Sequence, residues 1–249
     1  MAERNGQQEA RPRGWRVPWG DASLSALLAA QVMITFVAVP VGAVYPSGHA
    51  LMDVGHLVFA AVCALALTDR RAVRGALLAS LLALAAGPAA LEAVGLRLGL
   101  GAETAHETIA VVAFAFNLLV TVLVARRAFG PGHVTAHRVQ GAVLVYLNVA
   151  ALFAIAYGLL EAHAPGAIRP TAGGFITNDP GARTAELSYF SLATITTTGY
   201  GDLAPVHQLA RSLANMEAVF GQIFPATFVA RLVALHLAHA EDKKRQSSE

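Results

Sequence analysis

Between Leu187 and Asp202 the chain reads Leu-Ser-Tyr-Phe-Ser-Leu-Ala-Thr-Ile-Thr-Thr-Thr-Gly-Tyr-Gly-Asp. Gly199 and Gly201 stand at alternate positions behind a run of threonines. Glycine reaches backbone conformations that a Cβ disfavours, so successive carbonyls of such a stretch can turn to one side. A column of carbonyl oxygens is what a dehydrated K⁺ needs in place of its water shell. One chain supplies only one wall of that column, so several copies must surround it. The chemistry such a column would permit is passive conduction through backbone oxygen, with K⁺ as the expected permeant ion. It calls for no cofactor, no nucleophile and no soluble substrate, and the chain reads as a non-enzyme.

The elements that must hold this stretch are apolar. Of 249 residues, 55% are hydrophobic and 14% charged, against roughly 25% charged in soluble domains. A formal charge of +2 implies no nucleic acid or other polyanionic partner. The single cysteine, Cys63, lies inside an apolar run, which excludes a disulfide framework and a Cys-based metal site. Five runs approach or exceed the roughly 20 residues that cross a bilayer as helix: Ala22–Val44, Ala50–Thr68, Thr104–Ala125, Val139–Leu160 and His207–His236. A sixth, Gly75 to about Leu91, is broken by Gly87-Pro88 and reads as a kinked span. Glu186 to Thr196 reads as a helix too short to cross, with Thr184 as its N-cap. The expected fold is therefore an all-α membrane protein of six transmembrane helices, with a re-entrant short helix and an extended segment after it.

Placing the N-terminus in the cytoplasm puts all but Arg97, Arg169, Arg183 and Arg211 of the 18 basic residues inside, with the C-terminus inside too. The first run is longer than the apolar core of a signal peptide, so it reads as an uncleaved helix of a multi-pass cell-membrane protein. Four parts follow: a cytoplasmic segment 1–21, a peripheral four-helix unit 22–126, a conducting unit 139–238 and a short cytoplasmic tail 239–249. The tail is too short for a ligand-binding domain, so gating of that kind is not expected in cis.

Titratable residues suggest further roles. Asp53, His56, Glu92, His106 and Glu107 gather near the outer ends of spans two to four, where His56, His106 and Glu107 could sense protons or a divalent metal. The competing reading is a set of paired groups near the headgroups. His133 and His137 fall in a cytoplasmic loop and read as solvated. Glu217, an intramembrane carboxylate, is a functional candidate by default, or else a hydrogen-bond partner of the short helix.

Thr197-Thr198-Gly199-Tyr200-Gly201-Asp202 resembles the filter signature of the tetrameric potassium channels, usually Thr-Val-Gly-Tyr-Gly-Asp. The resemblance implies a homotetramer in which the carbonyls of Thr197, Thr198, Gly199 and Tyr200 line the ion sites, with the Thr197 hydroxyl at the inner end. It implies that Glu186–Thr196 is the pore helix and that Tyr189 and Phe190 brace the filter with Asp202. Ala193 stands where some members carry a carboxylate, so Asp202 must pair with Tyr189, water or backbone. Gly221 follows Thr197 at the family's hinge spacing. Pro225 removes the donor that would bond the Gly221 carbonyl. By family register Gln222, Pro225, Val229 and Val233 face the cavity, and the two valines form an apolar gate. Voltage-gated relatives carry periodic basic residues in the fourth span. Thr104–Ala125 has none, so little voltage dependence is expected.

Thr198 in place of valine leaves room for a weakly selective cation pore. A potassium uptake protein would need four degenerate loops in one chain, and an intramembrane enzyme or haem protein would have to use His56, His106 and their neighbours.

Overall fold

The computed structural model describes residues 22–45, 48–66, 71–80, 82–83, 102–130 and 136–246. Helix α1, Ala22–Met33, continues through a π turn at Ile34–Ala38 into α2, Val39–Val44. Pro40 explains the wide turn. Its ring crowds the carbonyl four residues back, and the Val39 N–H bonds Ile34 O instead of the usual partner. Helix α3, Gly48–Ala66, meets the π turn where Gly55 faces Ile34; a Cβ there would lie 3.0 Å from Ile34 Cγ1. A further helical segment covers residues 71–80.

Helices α4, Ala102–Ala128, and α5, Ala136–His163, pack side by side. At 27 and 28 residues each is about 40 Å long, enough to cross a hydrocarbon layer of about 30 Å. Gly141 lets α5 approach both Ala128 and Leu24. After α5 comes strand β1, Ile168–Pro170, then helix α6, Pro180–Ile195, strand β2, Leu203–Pro205, and helix α7, Gln208–Gln246. β1 and β2 pair antiparallel, with Arg169 opposite Ala204, so the chain leaves and returns at one place.

Two apolar cores result. One joins Leu24, Leu27, Phe59, Cys63, Leu77, Val120, Val124 and Leu144 across the first helices and α5. The other surrounds α6 with Tyr157, Ile168, Leu187 and Phe190. Many large apolar side chains, such as Val44, Leu82 and Met216, remain exposed, as lipid-facing positions require.

Among the described residues four helices are long and apolar enough to cross a membrane: Ser23–Val44, Glu107–Ala128, Ala136–His163 and Gln208–Ala234. The second expected span falls on α3, 19 residues long, in which Val54–Ala64 is apolar helix among the described side chains. The third, 75–91, lies mostly outside the described residues. Contacts fix which helix ends lie together. Ser25 Oγ is 2.8 Å from His137 Nδ1, and Arg231 Nη2 donates to Phe129 O at 2.7 Å. The start of α1, the end of α4, the start of α5 and the C-terminal half of α7 therefore share one end, and Arg126, Arg127, Arg138 and Arg231 come with them. At the opposite end His163 faces Glu107 at 3.7 Å.

Candidate functional site

Helix α6 begins earlier than its sequence suggests. Asp179, not Thr184, is the N-cap: its carboxylate accepts from Ala182 N at 2.9 Å, and Pro180 follows where a helix needs no N–H. Thr184 instead donates to Pro180 O within the first turn. The far end is closed by several donors. Tyr146 of α5 donates its hydroxyl to Ile195 O at 2.8 Å, Thr197 N to Thr194 O at 2.9 Å and Gly199 N to Ala193 O at 3.0 Å.

The turn that follows alternates in hand. Thr197, Gly199 and Gly201 have φ of 57°, 54° and 79°, while Thr198 and Tyr200 between them stay in the ordinary negative range. The two glycines adopt this freely. Thr197 does not, and a threonine held there costs about 1–3 kcal/mol. Side chains lock it: its hydroxyl donates to Thr196 O at 2.7 Å and accepts from Gln222 Nε2 of α7 at 2.8 Å. Thr196 and Thr198 share a hydroxyl bond of 2.8 Å. In the single chain Thr196 to Asp202 are all exposed.

Asp202 is held from three sides. Tyr189 donates to Oδ2 at 2.9 Å, Leu203 N donates to Oδ1 at 3.0 Å and Thr171 N donates to the backbone carbonyl at 2.8 Å. The Tyr189 ring stacks on Tyr200, centroids 5.8 Å apart. The phenol of Tyr189 is the donor in its bond to Asp202, since an ionised carboxylate can only accept. Phe190, the next residue, is buried in the core around α6 and meets Tyr157 edge-on at 5.0 Å.

Glu217 is fully buried. Tyr157 donates to its Oε2 at 2.7 Å, and Ser191 Oγ lies 2.5 Å from Oε1 and 2.7 Å from Ala150 O. One turn on, Gly221 touches the end of α6. A Cβ there would overlap Ile195 O and sit 2.7 Å from the Ile195 carbonyl carbon. α7 runs unbroken through Gly221 and Pro225, and Gln222, Pro225, Val229 and Val233 are all exposed in the single chain.

Of the outer acidic and histidine residues, His56 and Glu107 have described side chains. Glu107 pairs with His163. Asp53, Glu92 and His106 lie outside the described side chains, as does His133, while His56 has a partner of its own. Among the described residues no group of three or more His, Cys, Asp or Glu could hold a metal. His137 is not merely solvated: it is half-buried and bonded to Ser25. Tyr146, Tyr157 and Ser191 emerge only from the structure. Tyrosines three turns apart in an apolar span were the available signal, since buried hydroxyls need partners.

Residues 142–236 match the family model described as an ion channel. The match starts in α5, ends in α7 and contains all of α6 and the turn from Thr196 to Asp202. It supports passive ion conduction in a lipid bilayer rather than catalysis, and with the apolar helices it points to a multi-pass membrane protein. No curated protein matches the chain.

Proposed function

We propose that this chain forms a potassium-selective channel, a homotetramer of six-span subunits in the cell membrane with both termini cytoplasmic. K⁺ passes through Thr197, Thr198, Gly199, Tyr200 and Gly201. The observation that carries the reading is the alternation in hand at Thr197, Gly199 and Gly201, because alternating residues turn successive carbonyls to one flank. Its setting supports it. The turn follows the C-terminal end of α6, whose partial negative charge favours a cation. Backbone groups at bilayer depth cannot face lipid, and Thr196–Asp202 are exposed on one chain. Further copies placed around a water-filled axis cover them.

The bond from Gln222 to Thr197 sets the face of α7 that looks toward the turn. Val229 and Val233, also exposed, are spaced to close that axis by dewetting. Pro225 leaves the Gly221 carbonyl without its usual helix donor, which makes this the weakest point of α7.

Reconstitution into liposomes with opposed K⁺ and Na⁺ gradients tests the reading. The expected result is a flux whose reversal potential follows K⁺ and which Gly199→Asp abolishes. A reversal potential indifferent to the two ions would replace it with the weakly selective pore, for which the hydroxyl of Thr198 bonded to Thr196 is the structural argument. No flux from the wild type would end the channel reading.

A further inference from the structure

We propose that Glu217 is held as a neutral carboxylic acid and is the positioning residue that fixes α6 between α5 and α7; its effect on conduction rests on the channel reading above. The argument is a count of hydrogens. Ser191 has one hydroxyl hydrogen and two neighbours at bonding distance, Ala150 O at 2.7 Å and Glu217 Oε1 at 2.5 Å. The carbonyl can only accept, and an ionised carboxylate could only accept as well. With Tyr157 committed to Oε2, an ionised Glu217 leaves one of the two close oxygen–oxygen contacts of Ser191 without a hydrogen between its atoms. A proton on Glu217 closes the count. Tyr157 O–H then donates to Oε2, the carboxyl O–H donates to Ser191 Oγ, and Ser191 O–H donates to Ala150 O.

Among the described residues no cation competes for the site. The described titratable groups that face Glu217 from the packed elements are Tyr157 and Tyr146 of α5. The described basic groups of the three helices and their ends are engaged elsewhere. Arg183 donates to Gly158 O, Arg211 to Pro205 O and Arg231 to Phe129 O. His137 bonds Ser25, His163 faces Glu107, His207 accepts from Leu209 N and Arg138 lies beside Gly130. A fully buried carboxylate with no counter-charge is strongly disfavoured.

The result is a chain of three hydrogen bonds that joins α5, α7 and α6 and returns to α5 at Ala150. It meets α6 at Ser191, one turn before Ile195, where Tyr146 and Gly221 also bear on the helix. The placement of the turn beyond Ile195 therefore depends on it.

The assembled protein in liposomes is examined by infrared spectroscopy and by K⁺ flux. The expected result is a protonated-carboxyl band that shifts in Ser191→Ala and vanishes in Glu217→Gln. A Gln amide can donate to Ser191 and accept from Tyr157, so Glu217→Gln keeps its flux within about twofold. Glu217→Ala loses about tenfold, the effect of leaving buried hydroxyls unpaired. Absence of that band in the wild type, or its persistence in Glu217→Gln, would overturn the neutral assignment. Equal losses in the Gln and Ala variants would overturn the positioning role. A wild type without flux would fail the channel reading alone, because the infrared band still decides the proton.

Discussion

Gly221 sits where α7 crosses the end of α6, and its missing Cβ is what lets the two backbones meet. The sequence presents it as a hinge beside Pro225; the structure adds that any side chain there must displace Ile195. Ile195 cannot move freely, because Tyr146 holds its carbonyl and the strained Thr197 lies two residues on. Gly221→Ala should therefore lower the thermal stability of the assembled protein by about 1–3 kcal/mol, the usual cost of overpacking, and reduce K⁺ flux. Unchanged melting would show that α6 and α7 can separate without loss. Contacts of this kind were not legible in the sequence. The Thr-Gly-Tyr-Gly pattern announces the turn because glycine spacing is a local property. The reach of Gln222 to Thr197, or of Tyr157 to Glu217, depends on how distant helices pack.

At the scale of elements, hydropathy located the long helices well, since span length is set by the bilayer and reads directly from apolar runs. The ends of α4, α5 and α7 differ from the expected spans mainly by polar extensions that a hydropathy reading discards. The start of α6 differs from the expected one for a different reason. Thr184 suits a cap by residue type, but Asp179-Pro180, just upstream, carries the stronger combination of cap and first-turn proline. Asp179→Ala should cost about 1 kcal/mol of stability, read as a lower melting temperature, whereas Thr184→Ala should change it by less. The reverse order would restore the original cap. Pro40 has an effect that no local reading supplied. The π turn it forces redirects α2, and α2 packs against α6, so a peripheral helix rests on the site.

For the whole molecule, the arrangement of charge governs how the protein responds to its membrane. Helix α4 carries Arg or Lys only in its last turn, at Arg126 and Arg127, at the helix end shared with Arg231. A charge crossing the full field is worth about 2.3 kcal/mol per 100 mV, and α4 offers none in transit. Conductance measured in planar bilayers should therefore change little with voltage; a steep activation curve would show that a charged element moves. The pairing of β1 with β2 has a consequence of another kind. It brings the two ends of residues 171–202 together, so everything from the cap of α6 to Asp202 is an excursion that starts and finishes at neighbouring points. Such a segment is exchangeable. Inheritance or design can replace it as one cassette while the surrounding helices keep their packing, provided the newcomer offers a small hydroxyl at 191 and apolar side chains at 187 and 190. Ion preference and the peripheral helices can thus diverge on separate schedules.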